Sequence, residues 1–168
     1  MTAVATRVAA PRRLARRPRA ALRTAHVLLA VGWTGLSLVM LVLPAAVLVQ
    51  GLGAVFAVEA MALVGGGIIP FFAVGTVLTG VALGLGTPWG LFRHRWVIVK
   101  SVLALVVIVS SVVLNTRWID AVAATTASPE EPVLWSLVLS SALHQVMLLT
   151  ATVLSVEKPR LTGNQKVA

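Results

Sequence analysis

The 168-residue chain contains no cysteine and only five acidic residues, and both shortages narrow what it can do. Without cysteine there is no disulfide, no thiolate metal site and no cysteine nucleophile. The carboxylates are Glu59, Asp120, Glu130, Glu131 and Glu157, and no two of them lie inside one apolar run. Acid–base hydrolysis by paired carboxylates therefore has no support. No serine stands in a nucleophile-elbow context, and no glycine run follows a phosphate-binding pattern. Charged residues make up 11% of the chain, against about 25% in a soluble domain.

Apolar side chain fills the space these groups leave. Hydrophobic residues account for 58% of the chain, and the mean hydropathy is +0.97. That is enough to cover an outer surface as well as an interior, which is the signature of a membrane protein. Four apolar runs are expected to span, at about 25–49, 58–85, 96–114 and 133–156. Each is close to the roughly 20 residues that cross a hydrocarbon core. In lipid the backbone must satisfy its own hydrogen bonds, so the runs are predicted to be helices. The fold class is all-α: a four-helix transmembrane bundle (25–156) between a basic, disordered arm (1–24) and a short tail (157–168). A cleavable signal peptide is the competing reading of the first run, but that run far exceeds an h-region of roughly 7–15 residues.

The formal charge of +9 raises the question of nucleic acid. Seven arginines precede the first span, at 7, 12, 13, 16, 17, 19 and 23, with no aromatic residue among them to stack on bases. Such an arm is expected to lie on anionic lipid and to set topology, not to bind nucleic acid. Arg93 and Arg95 fall between spans two and three, and Lys158, Arg160 and Lys166 follow span four. Twelve of the fourteen basic residues thus share one side. Glu59, Asp120, Glu130 and Glu131 share the other, with Arg117. The positive-inside rule then places both termini in the cytoplasm and the chain in the cell membrane. Trp89, Trp96, Trp118 and Trp135 fall near the expected interfaces.

Polar residues inside the spans are the candidates for function. His26 lies near the basic entrance of span one and is followed on its face by Ala30, Trp33, Ser37 and Met40. Lys100 lies about one turn into span three, at a depth similar to that of His26 given a rise of about 1.5 Å per residue. His144 is near the middle of span four, with Met147 one turn on. His26, Lys100 and His144 are the candidate cofactor ligands, and His144 with Met147 the candidate metal site. For each histidine a bland reading stands beside the functional one, as an interfacial anchor or a satisfied helix-to-helix hydrogen bond; Lys100 could equally snorkel to the headgroups. His94, between two arginines, is expected to be solvated or lipid-facing. Thr76, Gly80 and Gly84 make a small-residue packing face on span two. Pro70 is predicted to kink that span near Gly66, as static shape or as a hinge.

His26-Val27-Leu28-Leu29-Ala30-Val31-Gly32-Trp33-Thr34-Gly35 resembles the first helix of the copper-resistance D family and of HemJ-type protoporphyrinogen oxidases. Leu78-Thr79-Gly80, Gly86-Thr87-Pro88-Trp89-Gly90-Leu91-Phe92-Arg93, Trp96 and Lys100 look like the second-to-third helix junction of those families. Asn115 and Arg117 are similar to the Asn-Arg ending of the copper-resistance family. The Gly86–His94 segment also resembles uncharacterised four-helix membrane proteins of high-GC actinobacteria. The likeness covers about Thr24 to Arg117. It implies haem b as a cofactor, with His26 and Lys100 at the positions the oxidases need, or else copper transport. Three roles are therefore carried forward: a non-catalytic accessory subunit with a membrane partner or a second copy, a haem-binding redox protein, and a small-ion transport component. Any site is expected in the cytoplasmic half of the bundle.

Overall fold

In the computed structural model, residues 15–51, 53–87, 94–123 and 130–157 are described. The elements are α1 (Arg16–Gln50), α2 (Ala54–Ala62), α3 (Ile69–Gly86), α4 (Arg95–Ser110), α5 (Thr116–Ala123) and α6 (Glu131–Glu157). A π-helical stretch, Leu63–Ile68, joins α2 to α3, and another, Ser111–Asn115, joins α4 to α5. The described residues are all helical or connecting, and four helices are long and apolar enough to cross a membrane.

Local chemistry explains where the helices depart from the expected spans. α1 begins at Arg16, so Arg16, Arg17, Arg19 and Arg23 ride on its first turns and are not part of a disordered arm. Pro18 does not prevent this, because first-turn N–H groups have no intrahelical partner to lose. The alanines and arginines around it are good helix formers. Arg7, Arg12, Arg13, Lys158, Arg160 and Lys166 lie outside the described residues, as do Trp89 and Arg93. α1 continues through Pro44, which is buried, and stops at Gly51. There φ is 64°, and the glycine N–H reaches the carbonyls of Ala46 and Val47.

In span two, Pro70 lacks an N–H and its ring would clash with the carbonyl of Gly66. The wider π-helical turns of Leu63–Ile68 fall on that stretch, so the irregularity takes the form of a π segment before the proline. Pro70 itself is exposed. Span three runs on past Leu114 into α5. Trp118 and Ile119 pack inward there while Arg117 and Asp120 face out, and that two-faced pattern keeps the backbone helical beyond the polar Asn115.

The order in space is α3, α1, α6, α4: α1 packs against both α3 and α6, α4 packs against α6, and α3 and α4 scarcely touch. Two apolar clusters fix the depth scale. Trp33, Ala73, Val107 and Leu148, one from each span, meet at mid-bundle. Met40, Val58, Met61, Ile119 and Leu137 meet toward the end away from the arginines. Elsewhere large apolar side chains point outward, among them Leu28, Phe71, Leu105 and Leu139.

The α1–α3 contact depends on glycine. A Cβ on Gly32 would overlap the edge of the Phe72 ring, at Cε1 and Cδ1. Gly32→Ala is expected to cost about 1–3 kcal/mol by overpacking. Detergent-denaturation midpoints would check this; an unchanged midpoint would mean Phe72 swings aside freely.

Candidate functional site

Polar side chains gather at two depths, on opposite sides of the Trp33 layer. At the basic end, His26 Nδ1 and Thr79 Oγ1 are 2.9 Å apart. The direction of that bond follows from a count of hydrogens. Thr79 has one hydroxyl hydrogen, and its oxygen lies 2.6 Å from the carbonyl of Gly75 and 3.1 Å from that of Thr76. With the hydrogen given to the backbone, Nδ1–H of His26 must donate to Thr79. Nε2 is left with its lone pair. A side chain that fixes the tautomer and orientation of an imidazole in this way is what a ligating histidine needs from its surroundings.

Gly80 completes the seat. A Cβ at that position would stand 3.1 Å from Cε1 of His26. The small-residue face of span two is therefore used inside the chain, where it lets the imidazole lie close to α3. Thr76 contributes a hydroxyl to the same helix that is buried without a hydrogen-bond partner. Gly84 is half-buried one turn further on.

Lys100, half-buried on α4, is the charged group that acts electrostatically on His26. The two residues are near enough to interact electrostatically, from α1 and α4. The Lys100 ammonium also lies 4.9 Å from the centroid of the Trp96 ring, in a cation–π arrangement. His94, which precedes α4, stacks on Trp96 at 6.3 Å. Lys100 thus leans one turn back toward the basic end over Trp96, a placement that a snorkelling side chain shares.

The second cluster lies one turn beyond the Trp33 layer. His144 is 5% exposed. Its Nε2 is 2.7 Å from Ser110 Oγ, and its Nδ1 is 3.4 Å from Ser111 Oγ. The Ser110 hydrogen goes to the carbonyl of Val106 at 2.6 Å, so Nε2–H donates to Ser110. Nδ1 faces the hydroxyl of Ser111 as its weaker partner. Ordinary α-helical geometry turns consecutive side chains about 100° apart. Ser110 and Ser111 nonetheless both reach one imidazole, at the start of the π-helical stretch. The last residue of that stretch, Asn115, is buried and accepts a hydrogen bond from Ser140 at 2.9 Å.

Both nitrogens of His144 thus face hydroxyls of α4. Met147 does not join them; it packs with Trp33, Val107 and Leu148 in the mid-bundle layer. Among the described residues, no group of three or more histidines or carboxylates could hold a metal ion. The sequence singled out His26, Lys100 and His144, yet gave no sign that Ser110 and Ser111 converge on one ring.

These features define an all-α chain with four potential membrane-crossing helices and two separate polar centres between them. No protein-family model, no curated protein and no solved structure matches the chain.

Proposed function

We propose that the chain is an integral protein of the cell membrane, with both termini cytoplasmic, that binds haem b at the basic end through His26 and Lys100. The topology is supported by the sorting of twelve of fourteen basic residues to one side and four of five carboxylates to the other. Because the chain has no cysteine, a single introduced thiol is a unique label. A membrane-impermeant maleimide on intact cells should modify Gln50→Cys but reach Thr24→Cys only after lysis. The reverse pattern would invert the topology.

The arrangement that carries the haem reading is the bond between His26 Nδ1 and Thr79, which orients the ring against Gly80 and leaves Nε2 for a ligand. Lys100 supplies a cation at that level suited to a propionate. Haem b would bring one-electron chemistry. The residues hold and orient it and, through the apolar layer at Trp33, keep it on one side of the bundle. His144 fits the role poorly, since either nitrogen would have to give up a serine. Titrating the purified protein with haemin should give a saturable Soret band at one equivalent. Absence of the band would sink the reading.

The alternative role, as an accessory subunit, is favoured by Gly66 and Gly67. Both are exposed, with open space where a Cβ would stand, so a helix of a partner or of a second copy could approach closely there. Gly80 is not available for this, being against His26. Gly67→Leu should then abolish in-membrane crosslinking to that neighbour. Crosslinks of undiminished yield would remove this role.

A further inference from the structure

Six hydroxyl residues lie on α6, and four settle their hydrogen in the same way. Ser136, Thr150, Thr152 and Ser155 each donate to the backbone carbonyl four residues earlier, and Ser140 donates to Asn115 Oδ1. Ser141 does neither. It is 1% exposed, and its Oγ has no hydrogen-bond partner. One turn further along the same face, Gln145 Oε1 is buried and also has none.

Position makes the pairing informative. Residues four apart on a helix are neighbours, so Ser141 and Gln145 flank one spot on α6. His144 lies three residues beyond Ser141 and belongs to the same buried surface. The register of α1 against α6, with Trp33 beside Leu148 and Met40 beside Leu137, places Ser37 opposite. Ser37 is 6% exposed and brings a further hydroxyl to that level. A hydroxyl offers one donor and two acceptor sites, and an amide oxygen only accepts. Two orphaned oxygens on neighbouring turns call for a ligand that can both donate and accept. In lipid, a buried polar atom left unsatisfied costs several kcal/mol. Both oxygens are buried, and α1 packs against α6 at this level, so the ligand that fits best is a single water.

We propose that Ser141 and Gln145, on successive turns of α6, bind a water molecule that puts the buried imidazole of His144 in exchange with solvent hydrogen. The water accepts from Ser141 Oγ–H and donates to Gln145 Oε1. Its remaining donor reaches the polar group formed by His144, Ser110 and Ser111. The water sits between two apolar clusters, the one at Trp33 and the one at Met40 and Leu137. This site is independent of any haem at His26.

The test is water-selective magnetisation transfer by NMR on the full chain in nanodiscs. Transfer is expected to the imidazole N–H of His144 and to the amides of α6 around it, and to fall several-fold in Ser141→Ala. That variant removes a side-chain oxygen that bonds to nothing in the protein, so its thermal midpoint should stay near the wild-type value. Gln145→Leu removes the other half of the site and should give the same loss by a different route. Wild-type protein without transfer to His144, or both variants with transfer undiminished, would overturn the proposal.

Discussion

Trp33→Ala should be the most destabilising single substitution in the bundle, and the bilayer determines how large the effect is. Trp33 is 3% exposed where all four spans meet, against Ala73, Val107 and Leu148. In water, most of the cost of a large-to-small change comes from removing apolar surface from solvent. Lipid tails are as apolar as the interior, so that part largely cancels and the void left behind dominates. At about 24 cal/mol per Å3, a residual cavity of roughly 100 Å3 corresponds to about 2–3 kcal/mol. Equilibrium unfolding in mixed micelles would read this as a clear drop in midpoint. Leu28→Ala, on the same helix but 66% exposed, should change little. Equal losses for the two would mean that Trp33 is not at the centre of the packing.

His26→Ala is expected to abolish haem binding outright, whereas His144→Leu should leave the Soret band in place. The contrast separates the two histidines by their hydrogen bonds. His26 keeps one nitrogen free because Thr79 spends its hydrogen on the backbone. His144 has serines at both nitrogens. Thr79→Val keeps the shape but removes the acceptor that orients His26, so it should weaken haem binding without eliminating it, typically by 10–100-fold for such outer-shell changes. Lys100→Met keeps most of the side chain's length and removes its charge, which should lower affinity while preserving the position of the band. If His144→Leu erased the band and His26→Ala did not, the site would have to be moved across the Trp33 layer.

The four apolar runs were readable from the chain because lipid imposes a minimum length, and hydropathy registers length well. Helix ends were less readable. The arginines of α1 look like a polar arm by composition, yet alanine-rich helix propensity and a harmless Pro18 carry the helix out to Arg16. Asn115 and Arg117 look like an end, yet Trp118 and Ile119 give the following turns something to pack on. His26 and Lys100 could be set at one depth by counting residues. Thr79 could not be assigned as the partner of His26, because the pairing rests on two helices passing close at Gly80. Ser110 and Ser111 were hidden for a different reason: successive side chains of a helix diverge, so nothing in the sequence marks two neighbours as partners of one ring. The polar groups also stand on both sides of the Trp33 layer. That layer cannot be located until the four spans are placed side by side.

The order of the helices in space bears on how the protein is made. α6 is synthesised last, yet it is the main neighbour of α4 and one of the two main neighbours of α1. Until the ribosome has delivered it, α4 has almost nothing to lean on. Trp33 and Ser37 meanwhile lack their neighbours on α6. The first three long helices are therefore an unfinished arch, and a chain interrupted before Glu131 should persist as loosely associated helices open to quality-control proteolysis.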